Sequence, residues 1–408
     1  MDVHRTIETV FRIESPKLIA GLARITRDVG VAEELAQDAL VTALEQWPRT
    51  GIPDRPGAWL MQAAKHRAID HVRRGQLLHR KHEQLGHEPA PPAVDLVEQL
   101  DDELGDDLLT LIFTACHPVL SPEARVALTL RLVGGLSTEE IARAFLVPLQ
   151  TIQQRIVRAK KQLADERVAY EVPRGDELVP RLGSVLEVIY LVFNEGYAAT
   201  AGDDWTRPEL CEDALRLGRV LAGLAPGLAE IHGLVALMEI QASRLRARIG
   251  PTGEPILLLD QNRARWDALL IRRGLEGLAR AEALGGGVYT LQAAIAACHA
   301  RAERPGDTDW AQIAALYSDL ARIAPSPIVE LNRAVAVGMA DGPAAGLAII
   351  DQLGDALDDY HLLPTVRGDL LEKLGRTGEA RREFERAAEL TSNERVRVVL
   401  RERAAKLA

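Results

Sequence analysis

Between Leu136 and Leu163 apolar residues recur every three or four positions on both sides of one Leu146–Val147–Pro148 interruption, a spacing that admits helices. Ile152, Ile156, Ala159 and Leu163 follow at intervals of four, three and four, which draws one stripe along a helix. Ile141, Ala142 and Phe145 share a face of a shorter helix ahead of it. Ser137 and Glu140 make the S-x-x-E capping-box pattern that starts such a helix. Helical spacing returns at Ile19–Leu22, Leu35–Leu44 and Met61–Val72, and no stretch alternates cleanly as a strand would. Leu, Ala and Arg, good helix formers, dominate the composition. The expected fold class is all-α.

A chain of 408 residues exceeds one compact core, so several domains are expected. Residues 1–80 read as a helical module whose second and third helices are parted by GIPDRPG (51–57). Residues 81–107 contain EPAPPA and an acidic run, the pattern of a self-repelling linker. Residues 108–168 form a second small helical module. A boundary at VPRGDE (172–177) leads to a helical extension over 169–285 and to repeats over 286–408. In the repeats a shift of 34 residues superposes Ala334 on Gly368, Gly346 on Ala380 and Ile350 on Phe384. Small–small–large is the tetratricopeptide pattern, in which small residues let paired helices approach closely. Segment 360–390 carries it best, and 289–325 is a weaker copy.

The net charge of −10 argues against nucleic-acid binding until its distribution is read. From Lys65 to Lys81 there are six basic residues and one acid; from Glu83 to Asp107 there are nine acids and no Lys or Arg. From Gln150 to Lys161 there are four basic residues and no acid. Two basic patches flank an acidic tether. On the second helix of the 135–163 string, Gln150, Gln154, Val157, Arg158 and Lys161 point away from the apolar stripe, with Gln153 and Arg155 on its flanks. A short helix, a turn and a helix with an amide-and-arginine face make a helix-turn-helix that reads the major groove. Amides bond adenine edges, while Arg and Lys anchor phosphates and fix register.

The string GLSTEEIARAFLVPLQTIQQRIVRAKKQL (135–163) resembles region 4 of extracytoplasmic-function sigma factors, departing from it at Leu146, where Gly is usual. The resemblance places Gln153, Gln154 and Val157 near bases of the −35 promoter element, and Arg155, Arg158 and Lys161 on its phosphates. VGVAEELAQDALVTALEQWP (29–48) with PGAWLMQAAKHRAIDHVRRGQ (56–76) resembles region 2 of the same family. By that likeness Glu33, Glu34, Asp38, Leu44 and Trp47 form an exposed acidic–aromatic face that docks on the β′ clamp helices of core RNA polymerase. His66, Arg67, Asp70, Arg73 and Arg74 would face the −10 element, while Met61, Ala64, Ala68 and Val72 face the core. A pocket near 50–57 would hold a base flipped from the stack, an unstacking that costs a few kcal/mol. Trp59 reads as core. The acidic tether would thread the cleft of polymerase or serve as a plain spacer, and the β flap is the further implied partner. Residues 169–408 look like the long extension of one subgroup of this family.

The implied function is promoter selection and transcription initiation without catalysis, the extension modulating activity. In the extension, YLVFNEGYAAT (190–200) and LLLDQNRARWD (257–267) cluster polar residues beside aromatics. A buried polar network joining helices is the expectation for them; a pocket for a ligand or a regulatory peptide is the alternative. Cys116, Cys211 and Cys298 are far apart, and with neither CxxC nor HExxH no metal or cofactor is expected. No signal-peptide core and no apolar run of membrane-spanning length is seen, so a cytoplasmic location without membrane contact is expected. Two rivals remain: a helix-turn-helix regulator with a tetratricopeptide sensor, and an enzyme in 178–285.

Overall fold

The computed structural model describes residues 3–65, 67–69, 104–199, 205–251 and 254–407. Among these residues helices dominate and no strand forms beyond an isolated bridge, Ile249 with Pro255. The chain divides into two compact units, Met1–Ile189 and Tyr190–Ala408, so the division falls inside a helix.

The first unit begins with α1 (Val3–Thr26) and α2 (Val29–Thr50), which pack against each other. Asp28 starts α2: its carboxylate accepts from the Gly30 and Val31 amides at 2.7 and 3.1 Å. Gly51 ends it, and α3 follows over 56–65 and 67–69. Then come α4 (Leu104–Ala115), α5 (Pro122–Leu132), α6 (Thr138–Ala144), α7 (Leu149–Asp165) and α8 (Leu178–Tyr197). The tether expected over 81–107 needs correction at its end, because Leu104 already begins α4. The apolar run from Leu108 to Phe113 extends helix into the acidic stretch, and there Asp107 is buried beside Arg24, at 3.4 Å. Residues 70–103, with the rest of the acidic run, lie outside the described residues.

The segment after α7 is anchored to this unit. Tyr170 is buried, with its hydroxyl 3.0 Å from the Ala20 carbonyl and 3.2 Å from that of Asp107. The start of α8 is fastened too. Buried Arg125 of α5 meets Ser184 and lies 3.0 Å from Glu187, and Arg181 donates to the Phe113 carbonyl at 3.0 Å.

The second unit continues through α9 (Pro208–Leu224), α10 (Ala229–Ala242), α11 (Ala268–Ala283), α12 (Val288–Arg301) and α13 (Trp310–Ile323). It ends with α14 (Pro327–Ala340), α15 (Pro343–Asp351), α16 (Leu362–Lys373), α17 (Thr377–Leu390) and α18 (Glu394–Lys406). Consecutive helices pair, and the small–small–large residues sit at the crossings. A Cβ on Gly346 would come within 2.5 Å of the Ala334 carbonyl oxygen, so only glycine lets α14 and α15 approach this closely. Ile350, Ala380 and Phe384 are fully buried.

Candidate nucleic-acid interface

The capping box read from the sequence is present: Ser137 Oγ accepts from the Glu140 amide at 3.1 Å, and Glu140 accepts from the Ser137 amide at 2.7 Å. At the far end of α6 the Val147 amide donates to Ala142 and the Leu146 amide to Arg143, at 3.1 and 3.3 Å. This is a Schellman closure, which demands a left-handed residue at Leu146, whose φ is 51°. Leucine therefore makes the turn that glycine usually makes, at a strain of about 1–2 kcal/mol. The resulting geometry aims α7 outward.

On α7 the stripe Ile152, Ile156, Ala159 and Leu163 is buried. Gln150, Gln153, Gln154, Val157, Arg158 and Lys161 are exposed, and Arg155 is half-buried. Val157 is 65% exposed, an apolar side chain set among amides and cations. Lys161 pairs with Asp165 at 2.5 Å, both largely in water, a contact worth under about 1 kcal/mol. Among the described residues Arg158 has no ion-pair partner.

On α2 two expectations are corrected. Glu33 is buried, 2.6 Å from Arg131 Nε of α5 and also paired with Lys160 of α7. Two cations from sequence-distant helices draw it inward, so it is no part of an exposed acidic face. Trp47 is buried as well, its ring edge-on to Trp59 with centroids 5.2 Å apart. Large apolar area outweighs its polar handle there. Glu34 and Asp38 are exposed and Leu44 is half-buried, so the outward face is acidic but not aromatic. On α3, Ala64 and Ala68 are buried and Met61 is half-buried. Arg67 reaches back to Asp38 at 3.4 Å and to Thr42 at 3.3 Å. His66, Asp70, Val72, Arg73 and Arg74 lie outside the described residues.

The two modules thus meet within the first unit. Besides the Glu33 pairs, Arg12 of α1 lies 3.1 Å from Glu140 of the capping box. Sequence reading missed Arg131 and Lys160. For Arg131, an arginine inside the apolar run VALTLRL was the available signal, since a cation in such a run needs a buried counter-ion.

In the second unit the two polar clusters mostly bind the chain to itself. Glu195 pairs with Arg207, and Arg263 donates to the His299 and Ala302 carbonyls. Buried Arg248 lies between the rings of Tyr197 and Trp205, at 3.6 and 4.3 Å. A Cβ on Gly196 would meet the Cys211 amide at 2.7 Å, so the close approach of the end of α8 to α9 requires glycine. Asn194 differs, because it lines a cavity.

Two helical modules, the second a helix-turn-helix with an outward amide-and-cation face, define a two-module DNA-binding factor of the transcription machinery. Residues 10–77 match the model of sigma-70 region 2, and residues 110–163 that of sigma-70 region 4. Residues 181–282 match a family of unknown function, DUF6596. The chain is 43% identical to an uncharacterized protein of Rhizobium meliloti over 93% of this chain and 90% of that one. It is 31% identical to the ECF RNA polymerase sigma factor SigK of Mycobacterium tuberculosis over 34% of this chain and 74% of SigK. Identity to the probable ECF RNA polymerase sigma factor SigI of the same species is 26%, over 44% of this chain and 62% of SigI. The chain belongs to the extracytoplasmic-function sigma factors and carries a long helical C-terminal extension. Among the described residues no helix is long and apolar enough to cross a membrane, and no His, Cys, Asp or Glu cluster would hold a metal.

Proposed function

We propose that this sigma factor reads the −35 element with α7 and the −10 element with α3 and the basic residues that follow it. The outward face of α7 carries the reading: Gln153, Gln154 and Val157 meet base edges while Arg155, Arg158 and Lys161 hold phosphates. Val157 matches a thymine methyl, which gives an exposed valine a purpose. Glu34 and Asp38 supply the acidic docking face for the clamp of core polymerase, and the β flap holds the second module.

Promoter reading also requires the modules to part. Twenty-five base pairs, the separation the two elements' names imply, span about 85 Å of B-DNA, whereas Glu33 ties α2 directly to α7. The chain from Ile69 to Leu104 has a contour length of about 110 Å, enough for that span. In this reading the free protein holds its two modules together and core polymerase parts them.

The extension is required for activity in this reading, because α5 and α8 share the Arg125 and Arg181 contacts that a cut at residue 168 would break. In vitro transcription with core polymerase, comparing the full chain with 1–168, tests this. Transcription by the full chain alone is expected; stronger transcription from the fragment would make the extension an inhibitor.

A further inference from the structure

The second unit holds an open cavity of about 570 Å³ for which the sigma-factor reading gives no use. Four carboxamides line it, each from a different helix: Asn194 of α8, Gln241 of α10, Gln292 of α12 and Asn332 of α14. Arg244, His299, Ser326, Tyr190, Tyr317 and Tyr360 complete the polar lining. The described lining holds one formal charge, the Arg244 guanidinium, and no carboxylate. Arg244 donates to the Tyr197 hydroxyl at 2.7 Å and lies 5.6 Å from the Trp266 ring, with the Arg248 and Arg263 guanidiniums close enough to repel it. The Nδ1 atom of His299 is buried without a hydrogen-bond partner.

Every titratable neighbour of Arg244 in the cavity is neutral near pH 7. Burial, reinforced by the Arg244 and Arg263 cations, lowers the His299 imidazole to about 4. Burial pushes the Tyr317 phenol up to about 12 and raises those of Tyr190 and Tyr360. The Arg244 guanidinium among neutral donors and acceptors, with the Arg263 cation beyond His299, favours an anion.

Carboxamides narrow the choice further. Each offers a donor and an acceptor on one plane, the complement of a peptide unit, and four of them spaced over four helices match a repeating backbone. The volume suits roughly three or four residues.

We propose that this cavity binds the C-terminal end of a short peptide, with its α-carboxylate on Arg244 and its backbone amides on the carboxamides. The site lies wholly within the second unit and does not depend on how the first unit reads promoters.

The test uses immobilised full-length protein. It is offered an equimolar mixture of tetrapeptide free acids, or the same sequences as C-terminal amides, and retained species are identified by mass spectrometry. Their dissociation constants are then measured by calorimetry. Gln292→Glu and Asn332→Asp keep side-chain size and place a second, negative charge in the cavity. Asn332 is exposed, and a carboxylate at 292 still accepts from the Tyr190 hydroxyl, so both variants should melt like the parent. Free acids should be retained and amides not, and each variant should weaken binding at least about tenfold. Failure of the parent to retain any free acid, equal retention of amides, or indifference to both variants would overturn the proposal. So would acetate binding as tightly as the best peptide.

Discussion

Helices α7 and α2 are both amphipathic, both carry charge, and both were assigned a partner-facing side from sequence, yet only α7 has the face assigned to it. On α7 the buried stripe and the exposed amides fall where the period places them. On α2 the family resemblance put Glu33 and Trp47 outside, and both are buried. The difference lies in what surrounds each helix. α7 packs its stripe on its own small module and meets α2 at Lys160, while its amide-and-cation face is left to solvent, so hydropathy sorts that face. α2 is also met by α5 and α7, and Arg131 and Lys160 give Glu33 a counter-charge that no local pattern encodes. A charged residue at the border of an apolar stripe goes wherever its partners are.

Charge removal at the two acids of α2 should separate these cases most strongly. Glu33→Gln leaves two cations facing a neutral amide and should cost the first unit about 2–4 kcal/mol, less than a fully buried pair because both cations keep some water. Asp38→Asn loses an exposed pair to Arg67 and should cost under about 1 kcal/mol. Urea unfolding of the full chain measures both; equal losses would break the distinction between the two acids.

On the α7 side, Gln154→Ala should relax preference at one upstream base position by about 1–3 kcal/mol if its contact is bidentate. Arg158→Ala should weaken binding nearly evenly across sequences and lower the salt slope by about one. Selection from randomised promoters reads the first and a salt titration the second. An unchanged preference for a Gln153/Gln154 double alanine variant would remove these residues from the readout.

The smallest effect should be at the turn. Leu146→Gly relieves left-handed strain but loosens the unfolded chain, so a net gain of up to about 1 kcal/mol is expected. Thermal melting at matched protein concentration would show it. A loss would mean that Leu146, although 54% exposed, contributes packing that the turn geometry does not reveal.

The helix-turn-helix was legible because its parts are local: a capping box spans four residues and an apolar stripe spans twelve. The small–small–large repeat was legible for a similar reason, since Gly346 and Phe384 act on the neighbouring helix in sequence. The polar clusters at 190–200 and 257–267 were only half legible. Their side chains meet groups brought from elsewhere, as Arg263 does with the Ala302 carbonyl and Tyr197 with the Arg248 guanidinium. Asn194, from the same string as Glu195, turns to the cavity instead.

Sequence by itself determined the all-helical class, the faces of α7, the cap of α6 and the close pairing of the repeats, because each follows from residues within a turn or two of one another. Tertiary structure decided the rest. It buried Glu33 between α5 and α7, drew Asp107 out of the acidic tether onto Arg24, and fastened α8 to α5 through Arg125. It also left Arg244 as the one charge in its cavity. The physical reason is common to these cases: the free energy of a charge depends on the dielectric and counter-charges around it, which only long-range contacts supply.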